Sequence, residues 1–134
     1  LIGLVGSEMC IRDSFLVAKE CGVHQNYKNK VLKANDIATM STGKRLGHPV
    51  RSIKNPYTKE YFKLEYSNIS DEELEAYGRG SLYRAAVEGD EKTGCFLAGQ
   101  IAGMVNKEQT AKEIIEEIFT QAEDVLKGAT KWVK

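Results

Sequence analysis

Asn106–Lys107–Glu108–Gln109–Thr110–Ala111–Lys112–Glu113–Ile114–Ile115–Glu116–Glu117–Ile118–Phe119 opens the stretch that decides the fold, and Ala122, Val125 and Leu126 continue it. From Ala111 onward the apolar residues recur at helical spacing and mark one stripe. Asn106 and Gln109 have the spacing of a capping pair at its start. Lys112 with Glu116, and Glu123 with Lys127, stand four apart. Such exposed pairs contribute only about 0.2–0.5 kcal/mol each, so burial of the stripe decides whether the helix persists. Trp132 and Val133 extend the seam. A stripe of this width needs a sheet or other helices to cover it.

Just before it, Gly94–Val105 is rich in small residues: Gly94, Ala98, Gly99, Ala102 and Gly103 alternate with Cys95, Phe96, Leu97, Ile101, Met104 and Val105, and Gln100 alone is polar. Small residues at this density allow close backbone approach, either in tight helix packing or against a cofactor or substrate. Further back, Ser70 with Glu73 forms a capping box, and Asp71 and Glu72 suit the positive end of the helix dipole. Leu74 and Tyr77 face the protein, and a second helical piece fits Ser81–Val87, closed by Gly89–Asp90.

Tyr57, Tyr61, Phe62, Leu64 and Tyr66 require an apolar surface to cover them. The basic stretch from Gly43 to Pro56 holds both prolines and resists being one regular element; it reads as a connecting segment. Asn35–Asp36 and Ser41–Thr42–Gly43 signal turns. Val23, Tyr27, Val31 and Ala34 predict an amphipathic helix with Lys28, Lys30 and Lys33 on its wet side. Residues 1–14 read as a short strand plus loop, or as sequence foreign to the protein. Helices without a strand to receive them point to part of a larger fold.

The 134 residues carry 19 basic and 19 acidic side chains, unlike a general nucleic-acid binder. The charge is segregated: residues 1–65 hold 11 basic and 6 acidic side chains, residues 66–134 hold 8 and 13. The 3 cysteines are widely spaced and suggest neither a disulfide framework nor a zinc site. The apolar start is too short to span a membrane and lacks the regions of a secretion signal, so cytoplasmic location is the default expectation.

His24 and His48 lack partners at metal-ligand spacing and read as surface or structural histidines. Gly43–Lys44–Arg45 lacks the features of a phosphate loop, and Gly78 and Gly80 follow a helix instead of a strand, against a dinucleotide fingerprint. Cys95 reads as a buried small hydrophobe. Lys44, Arg45, Arg51 and Lys54 form a basic cluster, either a solvated loop or a contact for a phosphate-bearing ligand.

Several ordered segments carry a resemblance. Phe15–Leu16–Val17–Ala18–Lys19–Glu20, His24–Gln25–Asn26–Tyr27–Lys28 and Gly47–His48–Pro49–Val50–Arg51–Ser52–Ile53–Lys54–Asn55 belong to it. So do Val87–Glu88–Gly89–Asp90, Ala98–Gly99–Gln100–Ile101–Ala102–Gly103 and Lys107–Glu108–Gln109–Thr110–Ala111–Lys112–Glu113. Residues 15–134 resemble the C-terminal part of the flavin-dependent enoyl-acyl-carrier-protein reductase II and nitronate monooxygenase family, closest to the reductase branch.

The resemblance implies an α/β fold, this chain being a C-terminal, mostly helical fragment of an FMN-binding (β/α)8 TIM barrel. It implies FMN as cofactor, NAD(P)H as co-substrate, and an acyl-carrier-protein thioester or a small nitronate as substrate; it allows a homodimer. The family's flavin-phosphate glycines and catalytic histidine lie upstream of the resembling segments, so no catalytic residue is expected here. Gln100 and Gly99 are the expected cofactor contacts, with His48 and Arg51 placed toward substrate. Residues 1–14 depart from the family: Arg12–Asp13–Ser14 stands where Gly-Thr-Arg is usual, and Ser7–Ser14 resembles a translated sequencing adapter. A rival reading without enzymatic activity is a small helical module that binds a protein through the Ile114–Phe119 stripe and the tyrosine-rich stretch.

Overall fold

The computed structural model describes residues 7–129. Its core joins two distant parts of the chain: Val17, Tyr27 and Val31 from the first third meet Phe96, Ala98, Ala102 and Val105, with Ile53 and Ala85 between them. Phe96 and Val31 are wholly buried, and Tyr27 packs edge-on against Phe96 at 5.0 Å between ring centres. Burying a side chain of the size of Phe96 contributes roughly 1.5–3 kcal/mol, so this contact anchors the assembly.

The first helix, α1, spans Ser7–Leu16, so the strand-plus-loop reading of the opening residues fails: the chain is helical there from Ser7. Residues 1–6 lie outside the described residues. Helix α2 follows at Gln25–Leu32, close to the predicted span, with the His24 ring accepting the Asn26 amide as its cap. Lys28 departs from expectation. It is buried, and its ammonium donates to the Ala18 carbonyl at 2.7 Å and meets Glu108 at 3.4 Å. Its aliphatic stem crosses the apolar face while these oxygens satisfy its tip.

Strands β1 (Thr39–Thr42) and β2 (Val50–Ile53) pair antiparallel, Thr39 opposite Ile53 and Thr42 opposite Val50. The turn signal at 41–43 and the proline-rich reading of 43–56 concealed this hairpin. Pro49 precedes the strand and Pro56 follows it, so neither removes a ladder donor. Residues 96–98 run along the free edge of β2: the Ile53 amide donates to the Phe96 carbonyl at 2.8 Å, and the Ala98 amide to the Arg51 carbonyl at 3.2 Å. The small-residue stretch is therefore extended here and becomes helical only in a short 3-10 turn at Gln100–Met104.

Helix α3, Pro56–Glu65, starts at an Asn55–Thr58 capping box with Pro56 in its first turn. Its fixed φ suits that position. The tyrosines of α3 stack with α4 (Asp71–Gly78): Tyr57 and Tyr77 lie parallel at 5.4 Å. The Ser70–Glu73 capping box opens α4, and Leu74 is wholly buried, both as the sequence predicts. A short α5, Ser81–Tyr83, passes into a π-turn at Arg84–Glu88 that Gly89 ends with φ +64°.

The last helix, α6, spans Ala111–Ala129. Its box is Thr110 with Glu113, not Asn106 with Gln109: the Thr110 amide donates to Glu113 Oε2 at 2.7 Å and the Glu113 amide to Thr110 Oγ1 at 3.2 Å. Ile114 is buried, whereas Ile115, Ile118, Phe119, Val125 and Leu126 are exposed. The stripe is real and largely uncovered. Trp132 and Val133 lie outside the described residues.

Candidate functional site

The edge made by β2 and residues 97–99 carries the site. Alternation along β2 sends Ser52 into the core and leaves Arg51 half-buried beside Leu97 and Ala98. Between this edge and α1 lies a groove of about 360 Å³, lined by Arg12, Asp13, Leu16, Val50, Arg51 and Leu97, with Ala98 and Gly99 at its floor. Arg51 donates one guanidinium N–H to Thr39 Oγ1 at 3.1 Å, and its other donors have no protein partner among the described residues. A cation over an apolar floor can hold a carbonyl or an anion.

Asp13 closes one end. Its carboxylate is buried and accepts the Gly99 amide at 2.7 Å. Burial pushes its pKa up, against the lowering effects of the Gly99 hydrogen bond and of Arg12. Sequence reasoning set residues 12–13 aside with the departing N-terminal stretch, and no spacing signal joins Asp13 to Gly99.

The residues expected at the site fall in three places. Gly99 and Arg51 share the groove. His48, exposed on the turn between the strands, borders a second hollow of about 210 Å³, which adjoins the groove at Val50 and Leu97 and is also lined by Tyr57, Tyr61, Ser81 and Cys95. Gln100 is exposed at the first position of the 3-10 turn and borders neither space.

Beneath the second hollow, Ser52 Oγ is buried with no hydrogen-bond partner of good geometry among the described residues, and the Cys95 thiol lies beside it. Burial raises that thiol to about 11, so it is protonated and inert as a nucleophile near neutral pH. Tyr57, hydrogen-bonded to Ser81, is likewise pushed by burial to about 12. No group of three or more metal-binding side chains occurs among the described residues. No helix among them is long and apolar enough to cross a membrane.

A flavin phosphate needs several converging backbone amides, as at a helix N-terminus. In the groove the Gly99 amide is already taken by Asp13. These residues therefore do not complete a flavin site. They line a groove: an apolar strip flanked by the guanidinium groups of Arg12 and Arg51.

The model of the nitronate monooxygenase family matches residues 3–121. The chain belongs to this family. Among solved structures, FabK from Thermotoga maritima superposes with a TM-score of 0.84 and 34% identity over 89% of this chain. Its M276A mutant superposes with a TM-score of 0.74 and 31% identity, again over 89% of the chain. The chain spans 38% of the first FabK chain and 35% of the second. This member of the nitronate monooxygenase family is thus a mostly helical part of an α/β TIM-barrel fold, as the resemblance implies. The uncovered stripe of α6 agrees with a fold that extends beyond these elements.

Proposed function

We propose that this chain is part of an FMN-dependent enoyl-thioester reductase that takes its electrons from NAD(P)H. One observation carries the reading: the 34% identity to FabK, an enoyl-acyl-carrier-protein reductase II, over 89% of the chain. The net reaction adds a hydride to the β-carbon and a proton to the α-carbon of the enoyl thioester, and NAD(P)H becomes NAD(P)⁺. The residues of this chain contribute binding. Arg51 offers its spare donors to a polar substrate group, and Leu97 with Val50 covers an apolar portion. No acid–base group of this chain is assigned to the reaction.

The rival reading is the activity for which the matching family is named, oxidation of alkyl nitronates by FMN and oxygen without nicotinamide. The protein that carries this chain, loaded with FMN, should oxidise NADH or NADPH only when a crotonyl thioester is present. Oxygen uptake with an alkyl nitronate, and no thioester-dependent loss of nicotinamide absorbance, would replace the first reading by the second.

A further inference from the structure

Five lysines of the first half of the chain converge with Lys92 on one concave face. Two adjoining hollows, of about 700 and 330 Å³, lie between α2, the start of α3 and the turn at Glu91–Lys92, and share Lys30, Lys54 and Glu91. Together they are bordered by Lys30, Lys33, Lys54, Lys59, Lys63 and Lys92, against only Glu60 and Glu91. The two carboxylates neutralise Lys63 at 3.2 Å and Lys30 at 3.0 Å, and Lys54 donates to the Ile37 carbonyl at 2.6 Å. The ammonium groups of Lys33, Lys59 and Lys92 have no protein partner among the described residues. In a chain with 19 basic and 19 acidic residues this is a local excess, and like charges so gathered repel unless something acidic meets them.

We propose that this face docks an acidic protein, the carrier on which the thioester substrate arrives. The inference rests on the reductase reading. Lysines are mobile point charges without the bidentate fork that selects a single phosphate, and the three uncommitted ones around a broad hollow suit scattered carboxylates on a protein surface. The face also lies close to the groove. Lys54 follows Arg51 by three residues, no more than about 10 Å of chain, though alternation sets the two on opposite faces. A bound carrier's flexible arm must therefore round the strand edge to reach Arg51 and Leu97.

The test uses the FMN-loaded protein that carries this chain, its Lys33→Glu/Lys59→Glu/Lys92→Glu variant, and fluorescently labelled acyl-carrier protein. Fluorescence anisotropy at about 50 mM salt should show binding to the unmodified protein that weakens at about 300 mM, and at least about tenfold weaker binding to the variant. KM for crotonyl-CoA should not change. Equal binding by both proteins, or none by the unmodified one, overturns the proposal. A parallel rise of KM for crotonyl-CoA also overturns it and assigns the lysines to a small-molecule phosphate. Lysine-dependent carrier binding with no thioester reduction would keep the docking face and reject the reductase reading. Thioester reduction with no lysine effect would do the reverse. Matching thermal melts of the two proteins exclude misfolding.

Discussion

The carboxylate of Glu65, buried at the end of α3, accepts the amide of Gly43 at 3.1 Å with one oxygen and the amide of Arg45 at 2.9 Å with the other. Gly43 sits at φ +80°, and a Cβ there would lie 2.6 Å from the His48 carbonyl oxygen. One side chain of α3 thus fixes the turn between β1 and β2, and with it the position of His48. Glu65→Gln keeps the shape but sets an amide NH₂ against one of the two backbone N–H groups. The expected loss is about 1–3 kcal/mol, read from the urea midpoint. An unchanged midpoint would show that solvent serves these amides equally well.

Tyr27 bridges the two halves of the core through its ring on Phe96 and its hydroxyl, which donates to the Leu97 carbonyl at 2.7 Å. Phe96→Ala should cost about 3–5 kcal/mol. Tyr27→Phe keeps the ring and leaves one carbonyl unpaired, at about 1–3 kcal/mol. Denaturant titration of the two variants checks the order; a larger loss for Tyr27→Phe would contradict the packing.

Gly94 is enclosed by backbone. A Cβ at this position would lie 2.6 Å from the Asp90 carbonyl oxygen and 2.8 Å from Ala85 Cα. Neither atom can rotate away, so Gly94→Ala should destabilise by about 1–3 kcal/mol or more. Gly22→Ala, with open space around its Cβ, should change stability far less. Comparable melting points for the two variants would refute this difference.

Alkaline pH should weaken the fold in a defined window. Burial raises Cys95 from 9.0 to about 11 and Tyr57 from 10.0 to about 12. The folded chain therefore holds protons that the unfolded chain has released. The resulting stability is fully present below about pH 9 and declines as pH rises through the two folded values. Urea midpoints between pH 8 and 12 should fall, and Cys95→Ala should flatten the first part of the decline. The same burial predicts that a thiol reagent at pH 8 modifies half-buried Cys21 well before Cys95, which mass spectrometry of peptides resolves.

Arg51→Ala tests the groove directly. Loss of a charge-assisted hydrogen bond to substrate should raise KM for the enoyl thioester about tenfold or more with kcat little changed. No change in KM would remove Arg51 from binding and leave it a tie to Thr39 alone.

Features governed by near neighbours were legible in the sequence. The Ser70–Glu73 box needs only three residues to identify, and the Gly89 stop follows from one. Features decided by distant partners were not. Lys28 carries no local sign of the Ala18 carbonyl and Glu108 that draw it inside. Thr39–Met40–Ser41–Thr42 is too polar to announce a strand, and it becomes one because Val50–Ile53 pairs with it. Of the candidate site, Arg51 and Gly99 do meet in one groove, though they stand 48 positions apart in the sequence and only the family resemblance singled them out together. Asp13, the third member, had no signal at all.

The closure of the core across long separations has a consequence for synthesis on the ribosome. Tyr27 waits for a carbonyl 70 residues downstream, and Lys28 for a carboxylate 80 residues downstream. At roughly 5–20 residues per second, Tyr27 and Lys28 wait roughly 4–16 seconds for these two partners. Throughout that interval the apolar face of the nascent segment holding them is available to trigger factors and other holdase chaperones. The yield of folded protein should therefore depend on chaperone supply during translation as well as on the stability finally reached.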